Sequence, residues 1–321
     1  MSLLKKPSIE VYCDGGLGNR IRGLINALGW FQQDEMEILW PKNNWCEASF
    51  FDVFAPDLLQ FKEASFDEVK TRLCQEKILL FAHENQFGCP GERFNDIRRL
   101  RNPRKSILEA NSKNKTQAIV YTSEIHPSLS LKSILRSCDF LRWNPMAQAN
   151  ASAFACANSL EKGEYTGFHV RLTDSGYRPE QYRKYFQPSR RFYGKSLICT
   201  DAYEEACRIA GGQPGILIRS PAAEPEKYRD ELAWRENTRY ADGRSFAFNV
   251  RRSLEAIQEA VVDLILLAGS RIRPSRLSSF SEVAGYLGYR HQPIAMKLHL
   301  LKRRWIQKIK FLILWWQHLR P

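Results

Sequence analysis

The segment Gly167–Asp174, read as GFHVRLTD, joins an apolar lead (Tyr165 to Val170) to His169, Arg171, Thr173 and Asp174. Such a lead reads as a strand, and ligands of open α/β sheets sit at the carboxyl ends of strands. Arginine grips phosphate through two parallel hydrogen bonds. Arg171 is therefore either a surface ion-pair partner or a clamp on a nucleotide diphosphate. As a clamp it would stabilise the charge that grows on a departing diphosphate, without a metal. Three further segments come in a compatible order: Gly15–Arg20 (GGLGNR), Thr200–Asp201 after an apolar run, and Ser278–Ser281 (SSFS) opening a helical run. Gly15, Gly16 and Gly18 make a tight turn whose backbone can approach an anion at a helix N-terminus. A dinucleotide fingerprint would want its third glycine near position 21, where Ile21 stands, so a conventional NAD site is not expected. Ser278, Ser279 and Ser281 either cap a helix or offer the same unpaired N–H groups to a phosphate. His169 is open to a core role, Asp174 to capping the next turn, and Asp201 to capping the helix that follows it.

Two negative signals narrow the chemistry. Gly194–Lys195–Ser196 ends like a P-loop, but Ser189 occupies the first glycine position and a strand follows where a helix is required. No D-x-D occurs anywhere, so the usual acidic bridge between metal and diphosphate is missing and metal-independent catalysis is expected.

The elements that must position these groups alternate. Ile9–Cys13 reads as a strand, Asp14–Gly18 as a turn, and Asn19–Phe31 as a helix with Ile21, Leu24, Ile25 and Leu28 on one face. Glu37–Trp40, Leu79–His83 and Ala118–Thr122 read as strands, and Phe87–Arg104 as a Gly/Pro/Arg-rich loop. Asn144–Pro145 suits a helix start. A second unit follows: helix Met146–Leu160, strands 165–170 and 196–200, helix 201–210, strand Gly215–Arg219, helix Arg252–Val262, strand Asp263–Leu267 and helix Ser279–Leu287. Strands alternating with helices in both halves predict two Rossmann-like domains, 1–143 and 144–292, followed by a tail, 293–321.

With 321 residues the chain is long enough for two cores. No stretch reaches the roughly 18 apolar residues of a membrane span, and Met1–Pro7 does not read as a signal peptide. Eight cysteines without C-x-x-C spacing point to a reducing, cytoplasmic setting. The net charge of +13 asks for an anionic partner. Clusters at Arg98–Arg104 and Arg183–Arg191 match no nucleic-acid module, and no nucleic-acid partner is expected. From Val283 to Pro321 there are eight Lys or Arg and no Asp or Glu. Within 294–319, Leu298, Leu301, Trp305, Ile309, Leu312, Trp316 and Leu319 draw one helical face. Lys297, Lys302–Arg304, Lys308 and Lys310 surround it. This helix either packs back across the domains or lies on an anionic membrane.

The motifs, taken in order, resemble the fucosyltransferase superfamily of nodulation and core α-1,6, bacterial α-1,2 and protein O-fucosyl enzymes. His169–Asp174 is similar to its HxRxxD motif. Gly15–Arg20 resembles the N-terminal turn of the α-1,2 and protein O-fucosyl branches. Ile198–Ala210 resembles its strand–Asp–helix segment, and Asp263–Leu267 with Ser278–Gly288 its closing pattern. The resemblance covers roughly residues 9–290. It implies a GT-B fold, with two Rossmann-like domains facing across a cleft. It also implies an inverting, metal-independent glycosyltransferase taking GDP-fucose, with a glycan or glycolipid acceptor at the N-terminal half. Donor contacts would be Gly16, Gly18, Asn19, Arg20, His169, Arg171, Asp174, Ser278, Ser279 and Ser281. Asp201 would sit where the family meets the nucleoside; a carboxylate accepts both edge donors of guanine. Asp14 is the candidate general base, or only a prop for the glycine turn. Where many members carry a second basic residue after the motif arginine, this chain has Leu172, so that contact is lost or comes from Arg20, Arg22 or Arg178.

Overall fold

The computed structural model describes residues 9–43, 45–56, 59–83, 85–114, 116–171, 182, 194–210, 212–227, 250–272 and 278–318. Its first half is a six-stranded parallel sheet. The strands are β1 (Ile9–Tyr12), β2 (Met36–Leu39), β3 (Phe61–Lys62), β4 (Leu79–Ala82), β5 (Phe94–Asp96) and β6 (Ala118–Tyr121), in the order β3-β2-β1-β6-β4-β5. Strands β1 and β6 are buried at every position, as a parallel sheet covered on both faces requires. Around it run α1 (Leu17–Trp30), α2 (Phe50–Val53), α3 (Phe66–Gln75), α4 (Pro103–Asn114) and α5 (Leu131–Phe140). The order reverses beside β1, where β2 lies on one side and β6 on the other, so a crevice opens at the carboxyl ends of these strands.

The second half is a four-stranded parallel sheet, β12-β7-β8-β9: β7 (Thr166–Val170), β8 (Ser196–Thr200), β9 (Ile216–Ile218) and β12 (Arg271–Ile272). A short antiparallel pair, β10 (Glu226–Lys227) and β11 (Val250–Arg251), lies apart from it. Its helices are α6 (Pro145–Ala157), α7 (Tyr203–Ala210), α8 (Leu254–Ala268), α9 (Ser279–Leu287) and α10 (Pro293–His318). Asn144 caps α6 by accepting from the Met146 amide at 2.9 Å, with Pro145 in the first turn, as the sequence suggested. One apolar core runs through both halves and includes Leu24 of α1, Val261 of α8 and Val283 of α9.

Two expectations give way. The strand expected at Asp263–Leu267 is the second half of α8, which continues to Ala268 and stops at Gly269. The apolar run lacks any helix breaker, and both faces of the helix are buried, so neither composition nor amphipathicity separates it from a buried strand. The loop expected at 87–104 contains β5, and its last two residues open α4. Among the described residues no helix is long and apolar enough to cross a membrane. Helix α10 leaves Leu298, Leu301 and Trp305 exposed while Met296 and Leu300 are buried.

Candidate active site

A cavity of about 280 Å³ lies between the carboxyl ends of the two sheets. The loop after β1 contributes Gly15, Gly16, Gly18 and Asn19. Residues at or just after the ends of β4 and β6 contribute His83, Tyr121 and Ser123. Strands β7 and β8 deliver His169, Arg171, Thr200 and Asp201, and α9 contributes Ser279 and Phe280. Every one of these strand ends belongs to a parallel sheet, so the chemistry collects where the topology leaves an opening.

The glycine turn is built around a buried guanidinium. Gly15 has φ +81°, which glycine adopts without cost. Arg20, fully buried, donates from Nε to the Gly15 carbonyl at 2.7 Å and from Nη1 to the Pro41 carbonyl at 2.8 Å. Its Nη2 reaches Asn43 Oδ1 at 3.2 Å, and the guanidinium lies 4.8 Å above the Trp40 ring. The expected donor contact at Arg20 is thus corrected: its fork is spent on holding the turn from beneath. Asp14 is placed in the same way. Its Oδ1 accepts from the Gly15 amide at 2.6 Å and from Asn43 Nδ2 at 2.7 Å, with Arg20 at 3.6 Å. Asp14 is not among the cavity-lining residues and props the turn, the second of the two roles its sequence position allowed.

The turn ends in the N-terminus of α1, whose N-cap residue, Gly16, has no side chain to cap it. Directly against it stands the N-terminus of α9. A Cβ placed on Gly18 would lie 2.7 Å from the Phe280 amide nitrogen and 2.9 Å from the Ser279 carbonyl carbon. Arg22 fastens the pair, donating to Asn19 Oδ1 at 2.6 Å and to Glu282 Oε2 of α9 at 3.1 Å. Two helix N-termini therefore open onto one cavity, and their amide dipoles add there.

His169 reaches into this junction. Its Nδ1 is 2.9 Å from Ser278 Oγ, and its ring stacks on Phe280 at 4.5 Å. Ser278 caps α9 by accepting from the Ser281 amide at 3.2 Å; Ser281, fully buried, donates its hydroxyl back to the Ser278 carbonyl at 3.1 Å. The three serines thus separate: Ser279 lines the cavity, Ser278 orients His169 and caps, and Ser281 is internal, which corrects its expected donor contact. Arg171 follows β7 and lines the cavity; its backbone is held from both sides by the Tyr182 hydroxyl, at 3.3 and 3.2 Å. Asp174 lies outside the described residues, as do Leu172 and Arg178.

Asp201 lines the cavity, and Glu224 accepts from the Tyr203 amide at the start of α7, at 2.6 Å. Lys195 of the P-loop-like triplet donates to the carbonyls of Asn158 and Ser159, both at 3.1 Å. Asp263 stands in the wall and pairs with Arg219 behind it, at 2.7 Å, and Arg219 also pairs with Glu259. Burial raises the Asp263 carboxyl to about 6, against the pull of Arg219. Sequence reasoning missed Asp263, Glu259, Arg252, His83 and Ser123. His83 closes, and Ser123 directly follows, a run that was legible as a strand, so strand-end position was the available signal; Ser123 Oγ lies 3.3 Å from His83 Nε2.

No protein-family model matches the sequence, and no curated protein matches it. Among solved structures, the chain is similar to NodZ α-1,6-fucosyltransferase co-crystallised with GDP, at 16% identity and TM-score 0.51, over 87% of this chain and 92% of that one. It is similar to fucosyltransferase NodZ from Bradyrhizobium, at 17% identity and TM-score 0.51, over 87% and 93%. A NodZ structure soaked with GDP-fucose gives 17%, 0.50, 88% and 93%. The fold is thus a fucosyltransferase-like α/β fold, as the resemblance in the motifs led one to expect.

Proposed function

We propose that this protein is an inverting glycosyltransferase of GT-B architecture that moves a sugar, fucose from GDP-fucose foremost, to a glycan hydroxyl. The observation that carries the proposal is the junction of the two helix N-termini beside Arg171 and His169. It offers a fixed positive potential to a diphosphate before the reaction begins. In the reaction the acceptor oxygen attacks the anomeric carbon from the face opposite the diphosphate. The bond from that carbon to the β-phosphate oxygen breaks, and its electron pair leaves on the phosphate. Arg171 and the amides of α1 and α9 compensate that charge, so no metal is called for. Asp201 and Thr200, at the end of β8, face the same cavity and suit the guanine edge.

The acceptor's proton needs a destination on the opposite wall. With Asp14 committed to the glycine turn, His83 beside Ser123 takes that role in this scheme. The N-terminal half then receives the acceptor and the C-terminal half the donor. GDP-fucose together with a panel of glycan acceptors tests the proposal by mass and by anomeric configuration. A gain of one deoxyhexose with inverted configuration is expected. Retained configuration would exclude direct displacement, and consumption of UDP-sugars alone would exclude fucose while leaving a transferase.

A further inference from the structure

Helix α10 presents a row of apolar side chains to solvent. Ile294, Leu298, Leu301, Trp305 and Ile309 are 73, 61, 54, 70 and 46% exposed, and Ile306 beside them 43%. Spaced by three and four residues, they form one stripe about 22 Å long. The stripe cannot be satisfied by folding inward, because the helix is already docked through another face. Met296 is fully buried with its sulfur against Gly285 of α9, Leu300 is 6% exposed, and His299 Nε2 lies 3.7 Å from Glu282. The first turns of the tail thus pack on the body, and a different face is left open. The side chains of Leu312, Trp315, Trp316 and Leu319 lie outside the described residues.

What covers the stripe must be apolar at its centre and anionic at its edges. Lys297 and Lys302 are exposed next to the stripe, and 283–321 contains eight Lys or Arg with no Asp or Glu. A second copy of the same helix would bring like charges together with no acid to pair them. We propose that α10 is a membrane-surface anchor: it lies in the plane of an anionic bilayer, with the stripe among the acyl chains and the lysines at the headgroups. This inference rests on the helix alone and stands or falls independently of sugar transfer.

The test is co-sedimentation of the full chain with phosphatidylcholine vesicles, with and without phosphatidylglycerol, at low and high salt. Binding to the anionic vesicles alone, weakened by salt, is expected. Lys297→Gln with Lys302→Gln should weaken partitioning roughly 25-fold, about fivefold for each basic residue. Leu298→Ser with Trp305→Ser should abolish it, and because these residues are exposed the melting temperature should stay that of the parent. A parent that remains in the supernatant overturns the proposal, as does sedimentation unaffected by either double variant. Light scattering that shows a dimer broken by the Leu298 and Trp305 replacements would also overturn it, since the stripe would then face a second copy.

Discussion

Gly18→Ala is the sharpest perturbation of the junction between α1 and α9, because the added methyl meets backbone. Its Cβ would stand 2.7 Å from the Phe280 amide nitrogen, where ordinary contact begins at 3.4 Å. Neither that nitrogen nor the Ser279 carbonyl carbon can swing aside, so the two helices must part by about 0.7 Å, a displacement of the order that can cost 100-fold in turnover. Helix propensity works the other way: alanine in α1 gains up to about 1 kcal/mol over glycine. Overpacking costs ~1–3 kcal/mol, so the net loss of stability should be ~0–2 kcal/mol and the fold should survive. Turnover should fall roughly 100-fold and GDP binding should weaken in parallel, because the amides of both helices face the same phosphates. Gly91→Ala, whose Cβ meets nothing within 4 Å, is the control and should behave as the parent. Thermal denaturation, GDP titration and turnover are measured on the same preparations. A Gly18→Ala protein with parental turnover and parental GDP affinity would refute the two-helix cradle, whatever its melting temperature.

Other outcomes follow from the same geometry. Arg171→Ala should remove most turnover, costing about 2.7–4 kcal/mol of barrier, and Arg171→Lys should restore little, because lysine lacks the fork; circular dichroism should show an unchanged fold. The buried Asp263 carboxyl, raised from 3.8 to about 6, binds more protons folded than unfolded. Its contribution to stability is full below pH 3.8 and is lost as pH rises through 6. The stability difference between parent and Asp263→Asn should therefore shift against the parent across that window; a flat difference would contradict the assigned shift. EDTA should leave turnover unchanged, and loss of activity restored by Mg²⁺ or Mn²⁺ would contradict the metal-free scheme.

How much of this was legible in sequence depended on the distance over which the interactions act. The parallel strands at Ile9, Leu79, Ala118, Thr166 and Ser196 announced themselves as apolar runs, and Asn144–Pro145 as a helix start. Local chemistry also placed Gly16, Gly18, Arg171 and Ser279 at the cavity. What failed was tertiary. Arg20 follows the glycines and carries the right charge for a donor, yet Trp40, Pro41 and Asn43 come back over it and take its fork. Ser281 belongs to the same SSFS run as Ser279 but points inward, because successive helical residues turn by about 100°. The Arg219–Asp263 pair spans 44 residues, and no spacing rule announces it.

Calorimetric titration with GDP, GMP and UDP tests the central claim most directly, since the two helix N-termini and Arg171 are assigned to the diphosphate and Asp201 to guanine. GDP should bind clearly tighter than GMP, which lacks the β-phosphate, and tighter than UDP, which lacks the guanine edge; Arg171→Ala should erase most of the gap between GDP and GMP. GMP binding as tightly as GDP, or a GDP affinity indifferent to Arg171→Ala, would contradict the claim that this cavity holds a sugar donor by its phosphates.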